Sequence, residues 1–233
     1  MSYIYSDAIS LRLALPQCPE LDLIKKQLFD CGFELPDLDQ PGIHLVKDPI
    51  GLGIDFELFK MAASDVGIYV EHGISHLGIS STELLHEADA RLWRPFTFSY
   101  GTYPLVLAAP QGINLELLER RQQVRIATSL PRHTREIFAA RGMNIDVVPV
   151  QDSTTACLLG LADAYVERMS DPDTLMRQGF RVLEVLGHAR LKLVVNRGSY
   201  TMRRSAIDTF MQLLYDCLPP TPKPLDIPFD LED

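Results

Sequence analysis

The stretch VQDSTTACLLGLADAYVERMSDPDTL, running from Val150 to Leu175, decides how this chain folds. A short apolar run, Asp146 to Val150, predicts a strand leading into it. The polar turn Gln151-Asp152-Ser153-Thr154-Thr155 supplies side chains that cap helices, so a helix should start there. Leu158-Leu159-Gly160-Leu161-Ala162-Asp163-Ala164 then enters a second strand, Ala164 to Met169, closed by the loop Ser170-Asp171-Pro172-Asp173-Thr174-Leu175. This order puts backbone N–H groups and hydroxyls at the mouth of a parallel sheet, which is where a small anionic ligand would bind.

Working outward, the same alternation recurs. Leu11 to Pro16 predicts a first strand, and Glu20 to Cys31 a helix with Leu21, Ile24, Leu28 and Phe29 at helical spacing, stopped by Gly32. His44 to Val46 and Ile54 to Phe59 predict strands. Val66 to His72 predicts a helix ended by Gly73, Leu77 to Ser80 a strand, and Glu83 to Glu87 a helix capped by Thr82. Strands alternating with helices indicate an α/β fold with a parallel sheet. Two apolar runs, Pro104 to Pro110 and Leu191 to Asn196, bracket a middle segment with its own strand–helix series: Val124 to Ala127, Pro131 to Arg141, and Asp146 onward. A unit entered and left by two strands predicts two lobes joined by a hinge. An amphipathic helix is expected from Thr201 through Cys217, its stripe formed by Ala206, Ile207, Phe210, Met211, Leu214 and Cys217, and an irregular acidic tail from Leu218.

A net charge of −9 argues against a nucleic-acid partner, which wants a basic face. No apolar run is long enough for a membrane span, and Met1 to Ser10 lacks a signal-peptide pattern. The four cysteines are scattered without a C-x-x-C, which predicts reduced thiols and a cytoplasmic location.

Val124-Arg125-Ile126-Ala127-Thr128-Ser129-Leu130-Pro131 and Gly160-Leu161-Ala162-Asp163-Ala164 resemble the ATP phosphoribosyltransferases of histidine biosynthesis. So do Leu11-Arg12-Leu13-Ala14-Leu15-Pro16, Tyr69-Val70-Glu71-His72-Gly73 with Leu77-Gly78-Ile79, and Asp173-Thr174-Leu175 with Gly179-Phe180. The resemblance implies a two-lobed periplasmic-binding-protein-like (type II) architecture, with substrates in a cleft between lobes. The first lobe would be residues 1–104 plus 196–233, the second 105–195. The implied activity is glycosyl transfer: ATP joined to phosphoribosyl pyrophosphate with loss of pyrophosphate, assisted by Mg2+. The chain ends before the family's additional regulatory domain, so the short form is expected. That form implies a homo- or hetero-oligomer with a regulatory subunit related to histidyl-tRNA synthetases.

The chain departs from the family pattern where anions would be held. The family's acid is Glu167, but the Thr-Gly of its phosphate loop is here Asp171-Pro172, followed by Asp173, Thr174 and Leu175. Proline has no N–H to donate, and two carboxylates oppose a phosphate unless Arg168, Arg177 or a metal offsets them. Without reference to a family, the same loop reads as an acidic turn opening a helix. Gln17-Cys18-Pro19 stands in place of Lys-Gly-Arg, and Ser81-Thr82-Glu83 in place of Gly-x-Asp. Gln151 to Cys157 replaces Gly-Ser-x-Glu-x-Ala-Pro; its hydroxyls can meet a polar ligand or merely cap a helix. The cleft candidates are therefore Gln17, Glu83, Asp152, Ser153, Thr154, Thr155, Asp163, Glu167, Ser170, Asp171, Asp173 and Thr174. No catalytic residue is assigned. His72 and His76 are four apart but separated by Gly73, so they read as surface histidines and no protein-built metal site is expected. Two readings stay open: the enzyme, or a catalytically degenerate relative that binds a small molecule or regulates another subunit.

Overall fold

A computed structural model describes residues 9–120 and 123–218. The expected tail from 219 onward lies outside the described residues, as do the first eight positions. The described chain forms two compact units, residues 9–101 with 190–218 and residues 102–189, and it passes from one to the other within two long strands.

The first unit is built on β1 (Ile9–Gln17), which pairs in parallel with β3 (Ile54–Ala62) from Ile9 opposite Ile54 to Gln17 opposite Ala62. β2 (His44–Val46) lies antiparallel on the outer side of β3, and β4 (Leu77–Ser81) lies parallel on the other side of β1. Leu11, Leu13 and Leu15 alternate along β1 and point to one face, as a period of two requires. There they meet α1 (Leu21–Asp30) and α8 (Arg197–Asp216), with Phe33, Phe56 and Phe210 packed ring on ring at 4.8–6.0 Å. The opposite face carries α2 (Val66–Glu71) and α3 (Thr82–Glu87) over Ala14 and Val194.

Gly78 explains how α2 approaches so closely. A Cβ at that position would stand 2.7 Å from Val66 Cγ1 and 2.8 Å from Val70 Cγ2. Asn196 fastens the far end of the same layer: its side chain accepts the Ser199 N–H at 2.9 Å to cap α8 and donates to the Val70 and Glu71 carbonyls at the end of α2.

In the second unit, β6 (Val124–Thr128) lies in parallel between β7 (Ile145–Pro149) and β8 (Ala164–Arg168). β8 also pairs antiparallel with β5 (Trp93–Pro110), whose second half belongs to this unit. The remaining elements here are α4 (Leu115–Glu119), α5 (Pro131–Ala140), α6 (Ser153–Leu158), α7 (Pro172–Arg177) and the first part of β9 (Phe180–Val195). Val106, Ala108, Ala127, Tyr165, Leu175 and Phe180 form its core.

Some local expectations need correction. β5 and β9 are far longer than their apolar halves, and α4 has no counterpart among the expected helices. α8 starts at Arg197, capped by Asn196, and its helical geometry is interrupted at Arg203 (φ −127°, ψ 28°). Ser81 rather than Thr82 holds the cap position of α3; the Thr82 hydroxyl instead accepts the Arg190 N–H at 3.0 Å. His76 is no surface histidine: its Nδ1 accepts the Arg12 N–H at 2.9 Å and joins the start of β4 to β1.

Candidate functional site

Parallel strands leave their connecting loops at the carboxyl edge of the sheet, and ligands bind there in open α/β folds. In the second unit the loops after β7 and β8 lead directly into α6 and α7, and between them lies a cavity of about 440 Å³. One wall comes from Gln151, Asp152, Ser153 and Thr154 at the start of α6. The other comes from Arg168, Ser170, Asp171 and Thr174 around the start of α7, with Gln178 beyond it. Val106, Tyr165, Met169 and Leu175 supply apolar surface.

Glu167 is the structural hub of this site. Its Oε1 accepts the Ser129 N–H at 2.6 Å and the Ser153 hydroxyl at 2.7 Å, and its Oε2 accepts the Ser129 hydroxyl at 2.7 Å. One carboxylate thus ties the end of β8 to the end of β6 and the start of α6. Burial raises its pKa, opposed by the hydrogen bonds from Ser153 and Ser129. Beneath it the Thr128 hydroxyl donates to the Val166 carbonyl at 2.7 Å and accepts the Leu130 N–H at 2.9 Å.

Both helix starts at the cavity are closed by the chain's own carboxylates. Asp152 Oδ1 accepts the Thr155 N–H at 3.0 Å and the Thr154 hydroxyl at 2.9 Å, and Oδ2 accepts the Thr155 hydroxyl at 2.7 Å. Asp171 accepts the Asp173 and Thr174 N–H groups at 3.0 and 3.2 Å and also the Thr174 hydroxyl. Arg177 Nη2 lies 3.5 Å from Asp171 Oδ2. Pro172 sits in the first turn of α7, where a missing N–H is tolerated. These donors hold both carboxyls below their ordinary pKa, chiefly through Thr155 for Asp152 and the Thr174 hydroxyl for Asp171. Arg168 brings positive charge to the cavity, its guanidinium carbon 4.7 Å from the centre of the Tyr103 ring.

Asp152, Ser153, Thr154, Glu167, Ser170, Asp171 and Thr174 therefore meet in one cavity. Thr155 and Asp173 stand beside it as capping partners. Asp163 lies at the opposite, entering edge of β8, where it accepts from the Arg125 backbone N–H at 2.9 Å and from Nη2 at 3.0 Å. Gln17 and Glu83 belong to the first unit: Gln17 is exposed at the end of β1, and Glu83 is buried in α3, accepting the Ser81 hydroxyl at 2.6 Å. Tyr165, Met169 and Gln178 were not among the expected site residues. For the first two the available signal is their place in or just after β8, beside Glu167.

Among the described residues no three of His, Cys, Asp and Glu stand together to hold a metal ion. Glu167, Asp152 and Asp171 each already accept three hydrogen bonds from the protein, so they do not form a vacant donor set for a resident Mg2+. No described helix is long and apolar enough to cross a membrane.

Comparison with known proteins gives a consistent answer. The family model for HisG, ATP phosphoribosyltransferase, matches residues 62–216. The ATP phosphoribosyltransferase of Symbiobacterium thermophilum is 30% identical over 207 residues, covering 88% of this chain and 93% of that protein. The ATP phosphoribosyl transferase (HisG:HisZ) complex from Thermotoga maritima contains a chain that superimposes with a TM-score of 0.74 at 25% identity, over 89% of this chain and 98% of that one. The periplasmic aliphatic sulphonate binding protein SsuA from Escherichia coli shares the fold, with a TM-score of 0.55 at 13% identity over 90% of this chain and 72% of that one.

Proposed function

This chain belongs to the ATP phosphoribosyltransferase family, and on that premise we propose that it condenses ATP with phosphoribosyl pyrophosphate, the first step of histidine biosynthesis. A bond forms between ATP and the anomeric carbon of the ribose while the bond from that carbon to pyrophosphate breaks, its electron pair leaving with pyrophosphate. The protein's work is then positioning and charge stabilisation. The second-unit cavity is the proposed seat of the phosphoribosyl group. Ser170 offers a hydroxyl there, and Arg168 offers a cation. Glu167 keeps the two walls in register rather than touching substrate. The observation that carries this reading is the meeting of both loops on one cavity at the carboxyl edge of β7 and β8.

Mg2+ is assigned to the substrate, since it keeps much of its water and binds readily through phosphate oxygens. The Thermotoga maritima relative is a complex with HisZ, and a regulatory subunit of that kind is the proposed partner here. The proposed location is the cytoplasm.

Asp152 and Asp171 favour a second reading, a relative without turnover that serves as a small-molecule-binding or regulatory subunit. Their carboxylates already use the amide donors that an incoming phosphate would need. One experiment separates the two readings: thermal unfolding with phosphoribosyl pyrophosphate and Mg2+, together with pyrophosphate release when ATP is added. The enzyme reading expects release, and a melting temperature raised by roughly 5–10 °C near a hundredfold excess over Kd. No shift at millimolar ligand and no release would sink it and leave the second reading.

A further inference from the structure

The first unit brings two cysteines from opposite ends of the sequence to neighbouring helix ends. Cys31 is the C-cap of α1 and is buried; Cys217 is the C-cap of α8 and is half-buried. Their surroundings interlock. Cys31 Sγ lies 3.8 Å from the Leu213 carbonyl oxygen on α8, the same carbonyl that accepts the Cys217 backbone N–H at 3.1 Å. Cys217 Sγ lies 3.7 Å from the carbonyl oxygen of Asp30, the residue preceding Cys31. Each sulfur thus lies against the helix end that carries the other cysteine.

We propose that Cys31 and Cys217 form a redox-modification site, a reversible disulfide that locks the end of α8 onto the end of α1. The co-reactant is a low-molecular-weight disulfide such as oxidised glutathione. The Cys217 thiolate attacks one of its sulfurs; that S–S bond breaks, one glutathione leaves as thiolate, and a mixed disulfide remains on Cys217. The Cys31 thiolate then attacks the Cys217 sulfur and displaces the second glutathione. Two electrons pass from the cysteine pair to oxidised glutathione, and the two cysteine protons end on the two glutathione thiols. Cys217 takes the first step because it is the more accessible. Burial and the adjacent Cys217 thiol keep Cys31 protonated until the two sulfurs meet. The bridge would fasten α8, whose Phe210 and Leu214 are fully buried in the core of the first unit.

The test uses the full chain, equilibrated in glutathione buffers of rising oxidised-to-reduced ratio. Free thiols counted under denaturing conditions should fall from four to two. Peptide mapping should find Cys31 joined to Cys217, and the melting temperature should rise by roughly 5–10 °C and return on reduction. Cys217→Ser should abolish all three changes. Cys31→Ala should stop at a glutathione adduct on Cys217, which keeps the test informative even if the buried substitution weakens the fold. Four thiols persisting in fully oxidised buffer, a bridge involving Cys18 or Cys157, or a stable adduct on the unaltered chain would each overturn the proposal.

Discussion

Ser153 donates its hydroxyl to Glu167 Oε1 across 2.7 Å, and through that bond the start of α6 is tied to the end of β8. Ser129 donates twice to the same carboxylate. Glu167→Ala leaves these three donors without their acceptor, at a cost of about 2–4 kcal/mol in urea unfolding. Glu167→Gln keeps one carbonyl oxygen in place and should cost about half as much. Equal losses for the two variants would mean that the shape of the side chain, not its acceptors, holds the site together.

The carboxyls around the cavity titrate in opposite senses. Glu167 has a raised folded-state pKa, so its contribution is fully present below the ordinary value of 4.5 and is lost as pH rises through the folded value. Asp152 and Asp171 have lowered ones, so theirs is present above 3.8 and is lost as pH falls through the folded values. Stability curves across mildly acidic pH should therefore change on different limbs. Asp152→Asn with Asp171→Asn flattens the acid limb, and Glu167→Gln flattens the limb above pH 4.5.

On the proposed seating of the phosphoribosyl group, the Asp171 carboxylate would oppose a phosphate at the α7 end of the cavity. Asparagine caps a helix about as well as aspartate, so Asp171→Asn removes the charge and keeps the loop. Calorimetric titration with phosphoribosyl pyrophosphate and Mg2+ should show binding tightened by about tenfold. Unchanged or weaker binding would place the phosphate elsewhere.

The parallel core of the second unit was legible because short apolar runs alternate with capping turns at 124–128, 145–149 and 164–168. What a side chain does with its charge was less so. Asp163 stands in a stretch shared with the family and looks like a cleft acid, yet it closes on Arg125, 38 residues away. Asp171 beside Pro172 reads as an acidic turn opening a helix, and it does cap its own helix start; what the sequence does not show is that the capping amides lie on the wall of a cavity. The first half of β5 hides for another reason. Phe96, Phe98 and Tyr100 alternate as a strand should, but Pro95 and Gly101 punctuate the run like a loop.

Gly78→Ala tests the close approach of α2 to β4. The new methyl would meet Val66 Cγ1 at 2.7 Å and Val70 Cγ2 at 2.8 Å, and both belong to buried residues. Overpacking of this kind costs about 1–3 kcal/mol. Adding Val66→Ala should recover part of the loss in a double-mutant cycle. Strict additivity of the two substitutions would show that the helix simply shifts away.

His76 makes the first unit sensitive to acid through a hydrogen bond that only a neutral ring can accept. Its Nδ1 receives the Arg12 N–H at 2.9 Å, so protonation there would set donor against donor. Burial first, then the charges of Arg203 and Arg12, lower its pKa from 6.5 to about 4. A base with a depressed folded-state pKa stabilises the fold above its ordinary value and loses that contribution as pH falls. Stability should therefore decline from pH 6.5 toward about 4. The decline should total roughly 2 kcal/mol after allowance for solvent screening of a half-buried group. His76→Asn offers a carbonyl oxygen in place of Nδ1 and cannot be protonated in this range. Its stability curve should run flatter than the parent's between the two values, and a parallel decline would assign the acid sensitivity to another group.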